Sequence, residues 1–317
     1  RIAIVDTPVQ LSHPEFFGRQ QPSIPIYDFP APGFQMPTHG THVMGLAGAA
    51  RNNQGMMGVA FDAELVSIID GIGEPGYGVN PDWGADVVRS GANVMNGSFG
   101  IQAYPRLIVD GQQNPNYTRV DVHVAFPSEV EQYVDNIRRI ANGDVLMVFG
   151  AGNDRAYRNK PPGEEVYWQE LQPYAADNPM FPAALPSITP VNTLAEESTY
   201  RFLKPESVLN DPSHWFLYPK EDFASWDYSD LAGTLIAVVA TEQNDTIAPF
   251  SNYCGLSADW CLAAPGLDLW STFPMDTYAY DYGTSMATPL VAGGAALVRQ
   301  AFPYMTARQV IEVVLTT

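Results

Sequence analysis

The feature that most constrains the fold is the alternation of short apolar runs with stretches of helical period. Segments 1–6, 63–69, 93–97, 144–149 and 234–240 are dense in aliphatic residues, and each stops near Gly, Asn or Asp, the pattern of buried strands. Segments 38–50, 82–90 and 129–141 carry the helical period, and further helices are expected from Thr284 and Thr306. Strands apolar on both faces and separated by helices imply a mainly parallel sheet flanked by helices, a three-layer α/β architecture. Ligands of such sheets bind at the carboxyl ends of the strands. Two stretches, about 101–124 and 154–230, are rich in Pro, Asn and Tyr and carry no period. They read as insertions into a single domain spanning 1–317, and no internal repeat is present.

Composition narrows the classes of function. The chain is 46% apolar and 12% aromatic, which excludes disordered and collagen-like chains. Its net charge of −19 repels phosphate backbones, so no nucleic-acid partner is expected. The longest apolar run, 286–298, is too short and too broken by Gly to span a bilayer. The chain opens on a strand rather than on a secretory leader, which suggests a processed chain. Cys254 and Cys261 have no histidine near them and are too few for a zinc site. A short-loop disulfide is the favoured reading, two buried free thiols the alternative, and a disulfide implies an oxidising compartment.

Four segments stand where a strand gives way to a loop or helix. Asp6 closes the first strand; His39 opens the small-residue helix Thr38-His39-Gly40-Thr41-His42; Asn153 follows Gly150-Ala151-Gly152; Ser285 opens the apolar helix after Tyr282-Gly283-Thr284. Singly, each has a plain structural reading. Asp6 suits a turn, His39 a satisfied core histidine, Ser285 a helix cap and Asn153 a turn. His39 and His42 lack the intervening Glu of a zinc-binding helix.

Together they describe a reaction. A serine hydroxyl becomes nucleophilic when a neutral imidazole takes its proton, and the imidazole needs a carboxylate to fix its tautomer. An amide such as that of Asn153 and the Ser285 N–H would meet the oxyanion, with the helix dipole behind them. The chain order Asp6, His39, Ser285 is that of subtilisin. With Ser12-His13-Pro14-Glu15-Phe16, His39-Gly40-Thr41-His42-Val43, Gly152-Asn153 and Gly283-Thr284-Ser285-Met286-Ala287-Thr288-Pro289, the sequence resembles the subtilisin-like (S8) serine peptidases. Phe250-Ser251-Asn252-Tyr253-Cys254-Gly255, Asp259-Trp260-Cys261 and Ala263-Ala264-Pro265-Gly266 make it most similar to the peptidase passenger domains of bacterial autotransporters.

The resemblance implies a secreted or surface-located endopeptidase acting on proteins or peptides through an acyl-enzyme, with no organic cofactor and with flanking autotransporter domains. Ser285 is then the nucleophile, His39 the base, Asp6 the orienting carboxylate and Asn153 the oxyanion donor. Substrate is expected to add as a strand between Gly76-Tyr77-Gly78 and Ser98-Phe99-Gly100, with Gly150, Ala151 and Gly152 walling the first pocket. Pro8 stands where the family has glycine, which removes an N–H beside Asp6. Glu15 lies where family members often place a calcium ligand, and the loop Arg51-Asn52-Asn53-Gln54-Gly55 offers further oxygens. Two rival readings are a non-catalytic binding or passenger domain on the same fold, and a phosphotransferase built on Asp6. The second is opposed by Pro8, which occupies the place of that class's second Asp.

Overall fold

The apolar runs assemble into a six-stranded, wholly parallel sheet. The computed structural model describes residues 1–24, 36–69, 80–99, 127–153, 231 and 233–316, with short backbone pieces between 105 and 122. Strands β1 (Ile2–Asp6), β2 (Leu65–Ile69) and β3 (Val94–Gly97) are followed by four two-residue strands, β4–β7 (Pro105–Arg106, Ile108–Val109, Gln112–Gln113 and Asp121–Val122). Then come β8 (Leu146–Gly150), β9 (Leu235–Thr241), β10 (Cys261–Pro265) and a hairpin of β11 (Leu269–Phe273) and β12 (Thr277–Asp281). The large sheet runs β10-β9-β8-β3-β1-β2, so the chain reverses its direction of travel across the sheet at β1. That switch point opens a crevice at the carboxyl end of β1, and Asp6 closes this strand.

Side-chain alternation divides the core into two faces. Ala3, Val5, Met95, Met147 and Phe149 pack with Trp83 and Val87 of helix α2 (Trp83–Arg89) and with Tyr133, Ile137 and Ile140 of helix α3 (Pro127–Asn142). On the opposite face, Val94, Leu146, Val148, Ile236 and Val238 meet Ala292 and Ala295 of helix α4 (Thr284–Ala301) and Val310 and Ile311 of helix α5 (Ala307–Thr316). Ile2, Ile4 and Leu65 extend that face against Val43, Met44 and Ala47 of helix α1 (His39–Gly48). Every residue of β1, β2 and β9 is buried, which is why these strands read as continuous apolar runs. Among the described residues no helix is long and apolar enough to cross a membrane.

Two elements escaped the sequence pattern for the same reason. Strand β10 is a sheet edge on which only Ala264 is buried, and it falls in none of the five segments with a strand pattern. The β11–β12 hairpin shows Trp270 and Tyr280 to solvent and engages α1 through two hydroxyls, with Leu269 as its apolar contact to that side of the core. Ser271 Oγ donates to the carbonyl of His42 and Thr272 Oγ1 to that of Thr41, each at 2.7 Å. Gly45 permits this approach: a Cβ there would stand 2.2 Å from Thr272 Oγ1 and 2.4 Å from Ser271 Oγ. Gly45→Ala is therefore expected to push the hairpin off α1 at a cost of about 1–3 kcal/mol, read by urea unfolding. An unchanged midpoint would mean the hairpin yields freely.

Candidate active site

Asp6 is 1% exposed and its carboxylate is organised by its neighbours in sequence. Oδ1 accepts from the Thr7 N–H at 2.7 Å and from Thr7 Oγ1 at 3.2 Å, and faces His39 Nδ1 at 2.7 Å. A carboxylate oxygen can only accept here, so Nδ1 carries the ring proton and Nε2 keeps its lone pair. Thr7 Oγ1 also accepts from the Gly40 N–H at 2.9 Å, which ties the start of α1 to the end of β1. A Cβ on Gly40 would lie 2.2 Å from the Thr7 carbonyl oxygen, so only glycine allows that closeness. Pro8, which lacks an N–H, does not displace Asp6 from His39, although among the described residues the buried Asp6 Oδ2 has no hydrogen-bond partner.

Ser285 sits in the first turn of α4 and is locked to the end of β3 by a reciprocal pair of bonds. Ser98 Oγ donates to the Ser285 carbonyl at 2.8 Å, and Ser285 Oγ donates to the Ser98 carbonyl at 3.2 Å. Asn96 Nδ2 in turn donates to Ser98 Oγ at 3.0 Å. The register pairs Val5 with Gly97, so the residues that follow, Asp6 and Ser98, leave adjacent strands at the same level. Met286, next to Ser285, packs among Val43 and Met44 of α1. These contacts bring Asp6, His39 and Ser285 to one end of the sheet.

Asn153 reaches the same place from β8. Its Oδ1 accepts from the Thr284 N–H at 2.8 Å and from Thr284 Oγ1 at 3.1 Å, so the amide's donor end is Nδ2. Thr284 Oγ1 also accepts from the Gly152 N–H at 3.3 Å. One buried threonine therefore sets the loop that carries Asn153. Behind that loop Asn252 donates from Nδ2 to the Ala151 carbonyl at 3.0 Å and from its N–H to the Gly152 carbonyl at 2.8 Å. Cys254 and Cys261 are joined as a disulfide and pack on Ala151 and Val239, so the bond braces the loop that carries Asn153.

Of the expected pocket residues, Gly76, Tyr77, Gly78 and Gly100 lie outside the described residues. Ser98 lies at the site as above. The Phe99 ring turns inward, with centroids 5.4 Å from Trp83, 6.0 Å from Tyr133 and 6.1 Å from Phe149. Ala151 donates its N–H to Val238 at 2.8 Å and is fully buried, while Gly150 closes on Thr284, whose Oγ1 would lie 2.9 Å from a Cβ there. Sequence reasoning assigned no role to Thr7 or Thr284. Their place beside Asp6 and Ser285 was the available signal, but a hydroxyl shows its partners only in three dimensions.

His42, one turn after His39, is fully buried, and Nε2 lies 3.2 and 3.1 Å from the carbonyls of Leu269 and Ala279. Two acceptors require Nε2–H, and the buried Nδ1 has no partner among the described residues. Burial pushes this imidazole's pKa below its ordinary value, and His39 adds to the effect, while Asp281 and the two carbonyl bonds oppose it. The native state thus prefers neutral His42. Its stability contribution is complete above about pH 6.5 and is lost as pH falls from there through the lower native pKa. The melting temperature is expected to decline below about pH 6.5, and His42→Gln to flatten that decline. Equal slopes in the two proteins would remove His42 from the account.

The model of the subtilase family, peptidase S8, matches residues 1–317. An extracellular serine protease of Serratia marcescens is 27% identical over 358 aligned residues, covering 100% of this chain and 29% of that protein. Serotype-specific antigen 1 of Mannheimia haemolytica is 35% identical over 98 residues, 28% of this chain and 10% of that protein. The chain therefore spans less than a third of the length of either relative. The solved structure of the prenylagaramide maturation protease PagA shares the fold, with a TM-score of 0.56 at 18% identity over 97% of this chain and 79% of that one. With Asp6, His39, Asn153 and Ser285 gathered at the carboxyl end of a parallel sheet, and a family match along its whole length, the chain belongs to the subtilase family.

Proposed function

We propose that this chain is a secreted serine endopeptidase that hydrolyses peptide bonds of protein or peptide substrates through an acyl-enzyme. The observation that carries the reading is the 2.7 Å contact from His39 Nδ1 to buried Asp6, which leaves the Nε2 lone pair to act as base. Ser285 Oγ, resting on the Ser98 carbonyl, turns to His39 and gives up its proton as it attacks the substrate carbonyl. The new imidazolium keeps its Nδ1–H on Asp6. The oxyanion receives hydrogen bonds from Asn153 Nδ2 and the Ser285 N–H at the positive end of α4. His39 then protonates the departing amine, and a water activated by the same ring releases the acid and restores Ser285.

Secretion is supported by the disulfide and by the extracellular relative, and a place among autotransporter domains by the resemblance of segments 250–255 and 259–266. The substrate backbone is read as pairing with the chain at Ser98, where its N–H takes over the carbonyl that holds the Ser285 hydroxyl.

Incubation with a fluorophosphonate, followed by peptide mapping, is expected to place the label on Ser285 and on no other serine. Labelling elsewhere, or none on folded protein, would refute the nucleophile. Asn153→Ala is expected to lower kcat by about 10²–10³ with little change in KM, as loss of the subtilisin side-chain donor does. An unaltered kcat would take Asn153 out of the mechanism.

A further inference from the structure

Glu15 is a carboxylate with no exposure, in the short 3-10 turn Pro14–Phe16. An anion so placed needs compensation. A divalent cation would require six to eight oxygen ligands turned toward it. The groups that surround this carboxylate are hydrogen-bond donors instead. Tyr278 OH donates to Oε1 at 2.7 Å, the Met56 N–H to the same oxygen at 3.4 Å, and Asn52 Nδ2 to Oε2 at 3.0 Å. The Asn52 amide is fixed in that sense because its Oδ1 accepts from the Gln54 N–H at 2.9 Å. His13 is equally committed. Its Nδ1 accepts from the Glu15 N–H at 3.3 Å, so Nε2 donates to the Thr277 carbonyl at 3.2 Å.

Space is closed as well as chemistry. Gly55 lies so close over the phenol that a Cβ would stand 2.0 Å from Tyr278 Cζ. The His13 ring meets the same phenol edge-on at 5.4 Å. Counter-charge comes from Arg19, which donates to the Glu15 carbonyl at 2.6 Å and whose guanidinium feels the Glu15 and Asp62 carboxylates. Partial burial, the bond to Glu15 and the nearby Asp276 push the Tyr278 pKa up to about 12, so the phenol keeps its donor proton at ordinary pH.

We infer that the Glu15 position, where this family often binds calcium, is in this chain a metal-free clasp in which the Tyr278 hydroxyl and the Asn52 amide take the place of the ion. The clasp bolts the loop 51–58 and the Pro14–Phe16 turn to the β11–β12 hairpin, which itself rests on the helix bearing His39. This inference is independent of the proposed peptidase chemistry.

The test is the melting temperature of the chain, measured in 5 mM CaCl2 and in 5 mM EDTA, in a Ser285→Ala background that prevents self-digestion. Tyr278→Phe and Asn52→Ala are each expected to lower it by about 3–8 °C, equally in both media. Whatever calcium does to the unsubstituted protein through other residues, it is expected to do unchanged in Glu15→Gln. A calcium-dependent rise that Glu15→Gln or Asn52→Ala abolishes would overturn the inference. So would a Tyr278→Phe protein that melts with the parent. Asn52 lies on a surface loop, so its variant keeps the test decisive if a buried substitution fails to fold.

Discussion

A buried carboxylate at the end of β1 governs this molecule. Asp6 has given up water almost entirely, and one of its oxygens holds a neighbouring N–H, a hydroxyl and the His39 ring. Desolvation at that depth is costly without directed partners. The glycine at 40, the threonine at 7 and the start of α1 are therefore fixed by one requirement, that an imidazole N–H be delivered to Asp6 Oδ1. Parallel pairing of β1 with both β2 and β3 puts that carboxylate at the crevice where the strand order reverses.

The opposite half of the site is held by hydroxyls and amides, not by charge. Thr284 positions Asn153, Asn252 grips the carbonyls of Ala151 and Gly152, and Ser98 and Ser285 hold each other. Neutral hydrogen bonds contribute about 0.5–1.5 kcal/mol each, yet leaving a buried partner unmade costs more, so the network is strict about geometry. The disulfide under Ala151 adds a covalent brace at the point where the loop has little apolar packing of its own.

How much of this was legible depended on whether a residue's reason for being there is local. Strands β1, β2, β3, β8 and β9 were readable because both faces are buried, and the four candidate residues stood out because each closes or follows such a strand or opens a helix. Strand β10 and the hairpin were not, since an edge with one buried residue and a ladder of Trp270, Tyr278 and Tyr280 carry no apolar period. Phe99 is expected from sequence in a pocket segment, while nothing local announces a ring turned into the core beside Trp83. Glu15 was conspicuous in sequence; its partner Tyr278 lies 263 residues away, a distance no spacing rule bridges.

Both irregular stretches depart from the carboxyl edge of the sheet. The first begins just beyond β3 and Ser98, the second just beyond β8 and Asn153. Each is thus rooted within a few residues of the groups that would meet a substrate, while the strands beneath are pinned by a core on both faces. Such an arrangement separates two kinds of heritable change. Replacements in the buried strands are screened by folding, whereas connecting segments tolerate changes of length and composition more readily. In a lineage or a combinatorial library built on this scaffold, the strands β3 and β8 can therefore stay constant in sequence while the chain that follows each of them varies.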